Sequence, residues 1–186
     1  MLTLKKKLAR LLVEKSYLEG DFTLSSGLKS DYYFDCRQTS LHPEGAWLIG
    51  ALLAKMLDPL QIDGVGGMTM GADPLISAVS LAGREQGKNW PGLIVRKEVK
   101  KHGTSKIIEG LANFKAGSCV GMLEDVVSTG GSVLKACERV REAGFIVRDV
   151  CCVLDREQGG RKALQQSGCE LHAIFTRAEL VSLAKK

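Results

Sequence analysis

The sequence predicts an α/β fold, a parallel sheet with helices on both faces. Short apolar runs take turns with stretches at helical spacing from residue 43 onward, and sequential strand–helix alternation builds parallel sheets. Ile146 to Leu154 is the clearest strand in the chain. Helix boundaries are also marked, with Pro43 and Glu44 opening one helix and Gly144 ending another.

In order, Leu4, Leu8, Leu11, Leu12 and Leu18 predict an amphipathic helix over 3–18, closed by Gly20. A turn at residues 26–31 leads into a strand from Tyr32 to Cys36. A helix from Pro43 to Leu57 follows, then a strand from Gly64 to Gly67 and a helix over 74–86. Leu93 to Arg96 is a strand, 97–110 a polar stretch and Cys119 to Leu123 a strand. The chain continues with a helix over 131–143, the Ile146 strand, a helix near 159–166, a strand from Leu171 to Phe175 and a helix over 177–184. With no repeat, low-complexity segment or linker, 1–186 reads as a single domain. Residues 1–42 form an N-terminal cap region and 43–186 the α/β core.

Composition narrows the function. At 186 residues and 45% hydrophobic, the chain can bury a core without disulfides or a structural metal. Leu48 to Leu57 is interrupted by Lys55 and falls short of the roughly 20 residues that cross a bilayer. Lys5, Lys6 and Lys7 are followed by Arg10 and Glu14, which argues against a signal peptide and for the cytoplasm. The six cysteines include no C-x-x-C pair and sit mostly in apolar segments, so they read as buried thiols. Of the +5 net charge, residues 96–106 hold five basic side chains and one acidic, leaving 21 against 20 elsewhere. One patch implies one anionic partner at one place, not a coat of nucleic acid.

The most specific motif is Met122-Leu123-Glu124-Asp125-Val126-Val127-Ser128-Thr129-Gly130-Gly131-Ser132. An apolar strand meets two carboxylates, then a loop of hydroxyls and glycines, then a helix. Glycines let backbone N–H groups turn toward an anion, and the helix N-terminus adds its positive end. Two carboxylates beside a phosphate make sense if the ligand also carries sugar hydroxyls or Mg²⁺. It is not a Walker loop, because Ala72 and Asp73 follow Gly71, and Thr69 breaks a Rossmann fingerprint. The segment resembles the signature of the type I phosphoribosyltransferases. That resemblance implies that Glu124 and Asp125 hold the ribose hydroxyls of phosphoribosyl pyrophosphate, and that Val126, Val127, Ser128, Thr129, Gly130, Gly131 and Ser132 cup its 5-phosphate.

Within that family, Arg96-Lys97-Glu98-Val99-Lys100-Lys101-His102-Gly103 resembles the flexible loop of the orotate phosphoribosyltransferases. The resemblance implies that Arg96, Lys97, Lys100 and His102 contact the pyrophosphate, that Lys100 and Asp125 are the catalytic residues, and that Mg²⁺ assists. No protein metal ligand is expected, the ion being held mainly by pyrophosphate and ribose hydroxyls. A loop reaching the neighbouring subunit implies a homodimer. Tyr33 and Phe34 occupy the positions that pack near the base, Arg156 the position that contacts orotate, and Ser128 a position where a threonine often also touches it. The implied substrates are orotate and phosphoribosyl pyrophosphate, with no nucleic acid and no membrane as partner.

Two departures stand out. Many members carry a lysine where Ser25 stands and another where Gly71 stands. Lys29, Arg37 or the backbone N–H groups of 69–72 are the candidates to replace them. Transfer to another base, or a regulator that only senses phosphoribosyl pyrophosphate, are the alternatives. The loop and Arg156 count against the first, and the absence of a helix-turn-helix or spare basic face against the second.

Overall fold

A computed structural model describes residues 2–23, 29–98 and 107–184. The chain opens with helix α1 (Leu2–Ser16), strands β1 (Tyr17–Thr23) and β2 (Lys29–Phe34), and helices α2 (Arg37–Ser40) and α3 (Pro43–Leu57). Then come β3 (Gly64–Met68), α4 (Asp73–Glu85), β4 (Gly92–Val95), β5 (Ile108–Glu109) and β6 (Val120–Val127). The last elements are α5 (Gly131–Glu142), β7 (Asp149–Asp155), α6 (Gly160–Gln166), β8 (Glu170–Thr176) and α7 (Arg177–Ala184).

Six strands form one sheet in the order β5-β4-β3-β6-β7-β8. All neighbours run parallel except β5, which pairs antiparallel with β4. Two buried clusters cover the sheet. One joins Leu8 and Leu12 of α1 to Leu48, Leu52 and Leu53 of α3, Leu123, and Phe175. The other joins Val133 and Val140 of α5 to Met122, Val150 and Leu171. The central strands β3, β6 and β7 therefore bury both faces, as strands of a parallel sheet between helices do. The order reverses between β3 and β6. From β3 the chain crosses through α4 to β4 on one side, and from β6 through α5 to β7 on the other. Ligands of such sheets sit in the crevice that this reversal opens at the carboxyl ends of the strands.

The expected elements from residue 43 onward form within a few residues of their predicted bounds. The N-terminal segment differs. Helix α1 stops at Ser16, and Tyr17 begins a strand that pairs with Phe34 in a separate two-stranded antiparallel sheet. Leu18, counted as a helical core position, is 56% exposed on that strand. Gly20, at φ 152, sits at the register shift between Glu19 and Phe22 rather than at a helix end. Strand β2 ends at Phe34, so Cys36 leads instead into α2. The cysteines among these elements are all free and buried, as composition implied. No helix of the described residues is long and apolar enough to cross a membrane.

Candidate active site

Strand β6 runs past Leu123 to Val127, so Glu124 and Asp125 are strand residues rather than loop residues. Their position is set by register, with Glu124 opposite Cys152 of β7. Alternation along a strand sends successive side chains to opposite faces. Glu124 is 6% exposed, while Asp125 is half-buried at the mouth of the crevice. Glu124 Oε1 accepts from the Asp125 backbone N–H at 3.3 Å, and Oε2 is buried with no hydrogen-bond partner among the described residues. Burial first, and the adjacent Asp125 charge second, push the Glu124 carboxyl well above the usual range, with Lys97 working the other way. An orphaned buried oxygen beside a second carboxylate suits hydroxyl donors or a cation brought by a ligand. No group of three metal-ligating side chains occurs among the described residues.

The crevice has a volume of about 410 Å³. Its walls are Tyr33 to Arg37 from the end of β2 and its turn, Met68 to Gly71 after β3, Lys97, Glu124 to Val126, and Ser132. Arg37 grips Asp35 with two bonds, Nε to Oδ1 at 2.8 Å and Nη2 to Oδ2 at 3.2 Å, and this fork holds the Asp35 carboxyl below its ordinary value. Gly71 lies against Asp125: a Cβ added there would meet Oδ1 at 2.7 Å. Of the two cations offered as replacements for the missing lysines, Arg37 lines this crevice, and Lys29 lines a different cleft. The Cys36 thiol faces the same space but is pushed up by burial and by Asp125, so it is not a thiolate.

Directly after Val127 comes the turn expected to cup a phosphate. Val127 to Ser132 line a hollow of about 180 Å³ that Glu124 also borders. Gly130 adopts φ 85, a left-handed backbone that favours glycine, and its carbonyl accepts the Leu134 N–H at 2.9 Å to start α5. The N–H groups of Gly131, Ser132 and Val133 precede the first helical bond, so they stand at the positive end of α5 as anion donors. The turn is braced from behind, where Gly160 N–H donates to Ser128 O at 2.9 Å and Arg156 N–H to Val127 O at 2.8 Å.

The other expected residues separate. Tyr33 and Phe34 line the crevice, but Arg156 lines a neighbouring cleft of about 580 Å³ with Tyr32, Lys29 and Arg177. Arg156 Nε donates to the Tyr32 hydroxyl at 2.7 Å. Lys97 reaches the crevice, and Arg139 of α5 donates Nη2 to its carbonyl at 3.2 Å. Arg96 is not among the crevice-lining residues; its Nε donates to Glu109 Oε1 at 3.0 Å on the edge strand β5. Lys100 and His102 lie outside the described residues, as does Ser25. Sequence reasoning missed Tyr32 and Arg177, which line the cleft with Arg156. Tyr32 had a signal, since strand alternation sets it opposite to Tyr33. Arg177 had none, because only the folded chain brings α7 to β2.

A scan against models of protein families finds no match. Curated relatives do match along nearly the whole chain. An orotate phosphoribosyltransferase of Nostoc sp. is 46% identical over 178 residues, covering 96% of this chain and 85% of that protein. One of Thermosynechococcus vestitus is 45% identical over 177 residues, covering 95% and 93%. Among solved structures, Mycobacterium tuberculosis orotate phosphoribosyltransferase in complex with 5-phospho-alpha-D-ribosyl 1-diphosphate superposes with a TM-score of 0.80. It is 31% identical, and the match spans 96% of this chain and 99% of that one. A crevice at the sheet's switch point, an acidic pair and a helix-end anion turn thus coincide with relatives at this identity: the chain belongs to the orotate phosphoribosyltransferases, enzymes of the pentosyltransferase class.

Proposed function

We propose that the crevice performs the family's reaction with the residues that line it. The reaction is Mg²⁺-dependent transfer of the 5-phosphoribosyl group from phosphoribosyl pyrophosphate to N1 of orotate, giving orotidine 5′-phosphate and pyrophosphate on the way to UMP. The observation that carries this reading is the pairing of Glu124 and Asp125 with the 128–132 turn at the start of α5. The turn and the first N–H groups of α5 hold the 5-phosphate. Asp125 and Glu124 accept hydrogen bonds from the ribose hydroxyls, which leaves the diphosphate directed toward Lys97 and Arg37.

As the bond from the sugar's anomeric carbon to the diphosphate oxygen breaks, its electron pair leaves with the diphosphate. The N1 lone pair of the orotate anion then forms the new bond, with no covalent enzyme intermediate. Lys97, Arg37, and Lys100 and His102 of the basic loop meet the growing negative charge, stabilising the transition state more than the bound substrate. Glu124 and Asp125, with the unpartnered Oε2, are the groups that would face a divalent ion carried in on the diphosphate and ribose. When bound, that ion withdraws charge from the leaving group. Tyr33 and Phe34 flank the base, Ser128 touches it, and Arg156 receives its carboxylate. The basic loop acts in the site of a second copy, so the working unit is a homodimer in the cytoplasm, and residues 1–42 cap the site.

The direct test follows loss of orotate absorbance with phosphoribosyl pyrophosphate and Mg²⁺, omitting each in turn and offering uracil, hypoxanthine and adenine in place of orotate. Turnover is expected only with orotate and both other components. Faster turnover of a purine or uracil would overturn the base assignment. Lys100→Ala is expected to lower kcat by about a hundredfold or more while circular dichroism and melting stay unchanged, as loss of a transition-state contact requires.

A further inference from the structure

The cleft beside the crevice holds Arg156 in a defined orientation. Tyr32 is 3% exposed, and its hydroxyl accepts from Arg156 Nε at 2.7 Å. The Arg156 guanidinium carbon also lies 4.5 Å from the centre of the Tyr32 ring. That ring is itself fixed. Tyr17 stacks on it with centroids 5.2 Å and planes 21° apart, and the Arg177 guanidinium sits 3.9 Å from its centre. Arg177 in turn donates Nη2 to Asp31 Oδ2 at 2.7 Å and to the Tyr17 hydroxyl at 3.2 Å. Residues from β1, β2, the turn after β7 and the start of α7 converge on one tyrosine.

Arginine recognises a carboxylate through a planar fork, so the plane of the guanidinium decides whether two bonds can form at once. A hydrogen bond at Nε fixes that plane and aims the Nη1/Nη2 pair. Ordering the side chain before the substrate arrives also removes a loss of rotamer freedom from the binding step. Tyr32 does this from a buried position that the base itself does not need to touch.

We infer that Tyr32 is a positioning residue for substrate selection: its hydroxyl sets the Arg156 fork toward the carboxylate that distinguishes orotate from uracil, and Arg177 with Tyr17 holds Tyr32 in place. The inference rests on the proposal above that Arg156 receives the orotate carboxylate.

Tyr32→Phe keeps the ring and removes only the hydroxyl. In the full chain, the KM for orotate is expected to rise about tenfold, the size of a lost bond to a charged group, while kcat and the KM for phosphoribosyl pyrophosphate stay within about twofold. Calorimetry with orotidine 5′-phosphate and UMP separates the carboxylate from the rest of the ligand, since the two differ by that group alone. Tyr32→Phe and Arg177→Met should both weaken orotidine 5′-phosphate and leave UMP unchanged. In an Arg156→Ala background, Tyr32→Phe should add nothing. Equal weakening of both nucleotides would mean a general structural role and overturn the inference. So would an unchanged preference in Tyr32→Phe when Arg156→Ala abolishes it. A preference that survives Arg156→Ala as well would sink the underlying assignment of Arg156.

Discussion

The single most consequential side chain is Glu124. The fold buries a carboxyl beside another carboxylate, which favours its protonated form in the free protein. The folded state then binds more protons than the unfolded chain, from the ordinary carboxylate range up to the raised folded value. Stability from this group is present below that range and is lost as pH rises through the folded value. Glu124→Gln should therefore melt higher than the parent at pH 8, with the difference shrinking as pH falls toward 4, while activity drops sharply. Melting curves across that range check the sign, and a Gln variant that melts lower at pH 8 would contradict it. Gly71 poses a second question at this scale. Its Cα lies so close to Asp125 that a lysine side chain there would displace the carboxylate. In the proposed reading the cation that replaces that lysine is Arg37, which lines the crevice together with Lys97. Arg37→Ala is expected to raise the KM for phosphoribosyl pyrophosphate about tenfold and Lys29→Ala to leave it unaltered, in line with loss of a charge-assisted contact.

Elements rather than residues carry the proposed anion site. The left-handed Gly130 and the open first turn of α5 form a unit, so Gly130→Ala should cost about 1 kcal/mol or more in stability, read from urea unfolding, and weaken phosphate-bearing ligands. This unit was legible in the sequence because strand, carboxylates, hydroxyls, glycines and helix occur in a row, each with a local physical reason. The same holds for Pro43–Leu57, where proline and apolar spacing agree. Legibility failed where tertiary pairing overrode local pattern. Leu18 fits a helical stripe, yet Tyr17 to Glu19 are drawn into strand pairing with β2. The two residues of β5 are strand only because β4 offers an edge, and no periodicity exists over so short a length. In the site, local motifs located the acidic pair and the turn. The partnership of Arg156 with Tyr32, 124 positions apart in sequence, depended on the fold.

At the scale of the whole molecule, the proposed homodimer makes a complementation test. A mixture of Lys100→Ala and Asp125→Asn chains, unfolded and refolded together, should recover up to about a quarter of parental turnover, since half the mixed pairs' sites are intact and half the pairs are mixed when association is random. Size-exclusion chromatography should show one species of twice the chain mass. No recovery would mean that each basic loop serves its own subunit.

The sheet reverses direction at one gap, and the two banks of that gap answer to different helices. In the proposed reading, the ribose and 5-phosphate fall to the contiguous 124–132 stretch, while the base falls to β2 and the turn after β7. Such a division lets selection act on one task without disturbing the other. A descendant with altered residues at 32, 33, 34 and 156 could adopt a new nucleobase and still draw on the same activated sugar.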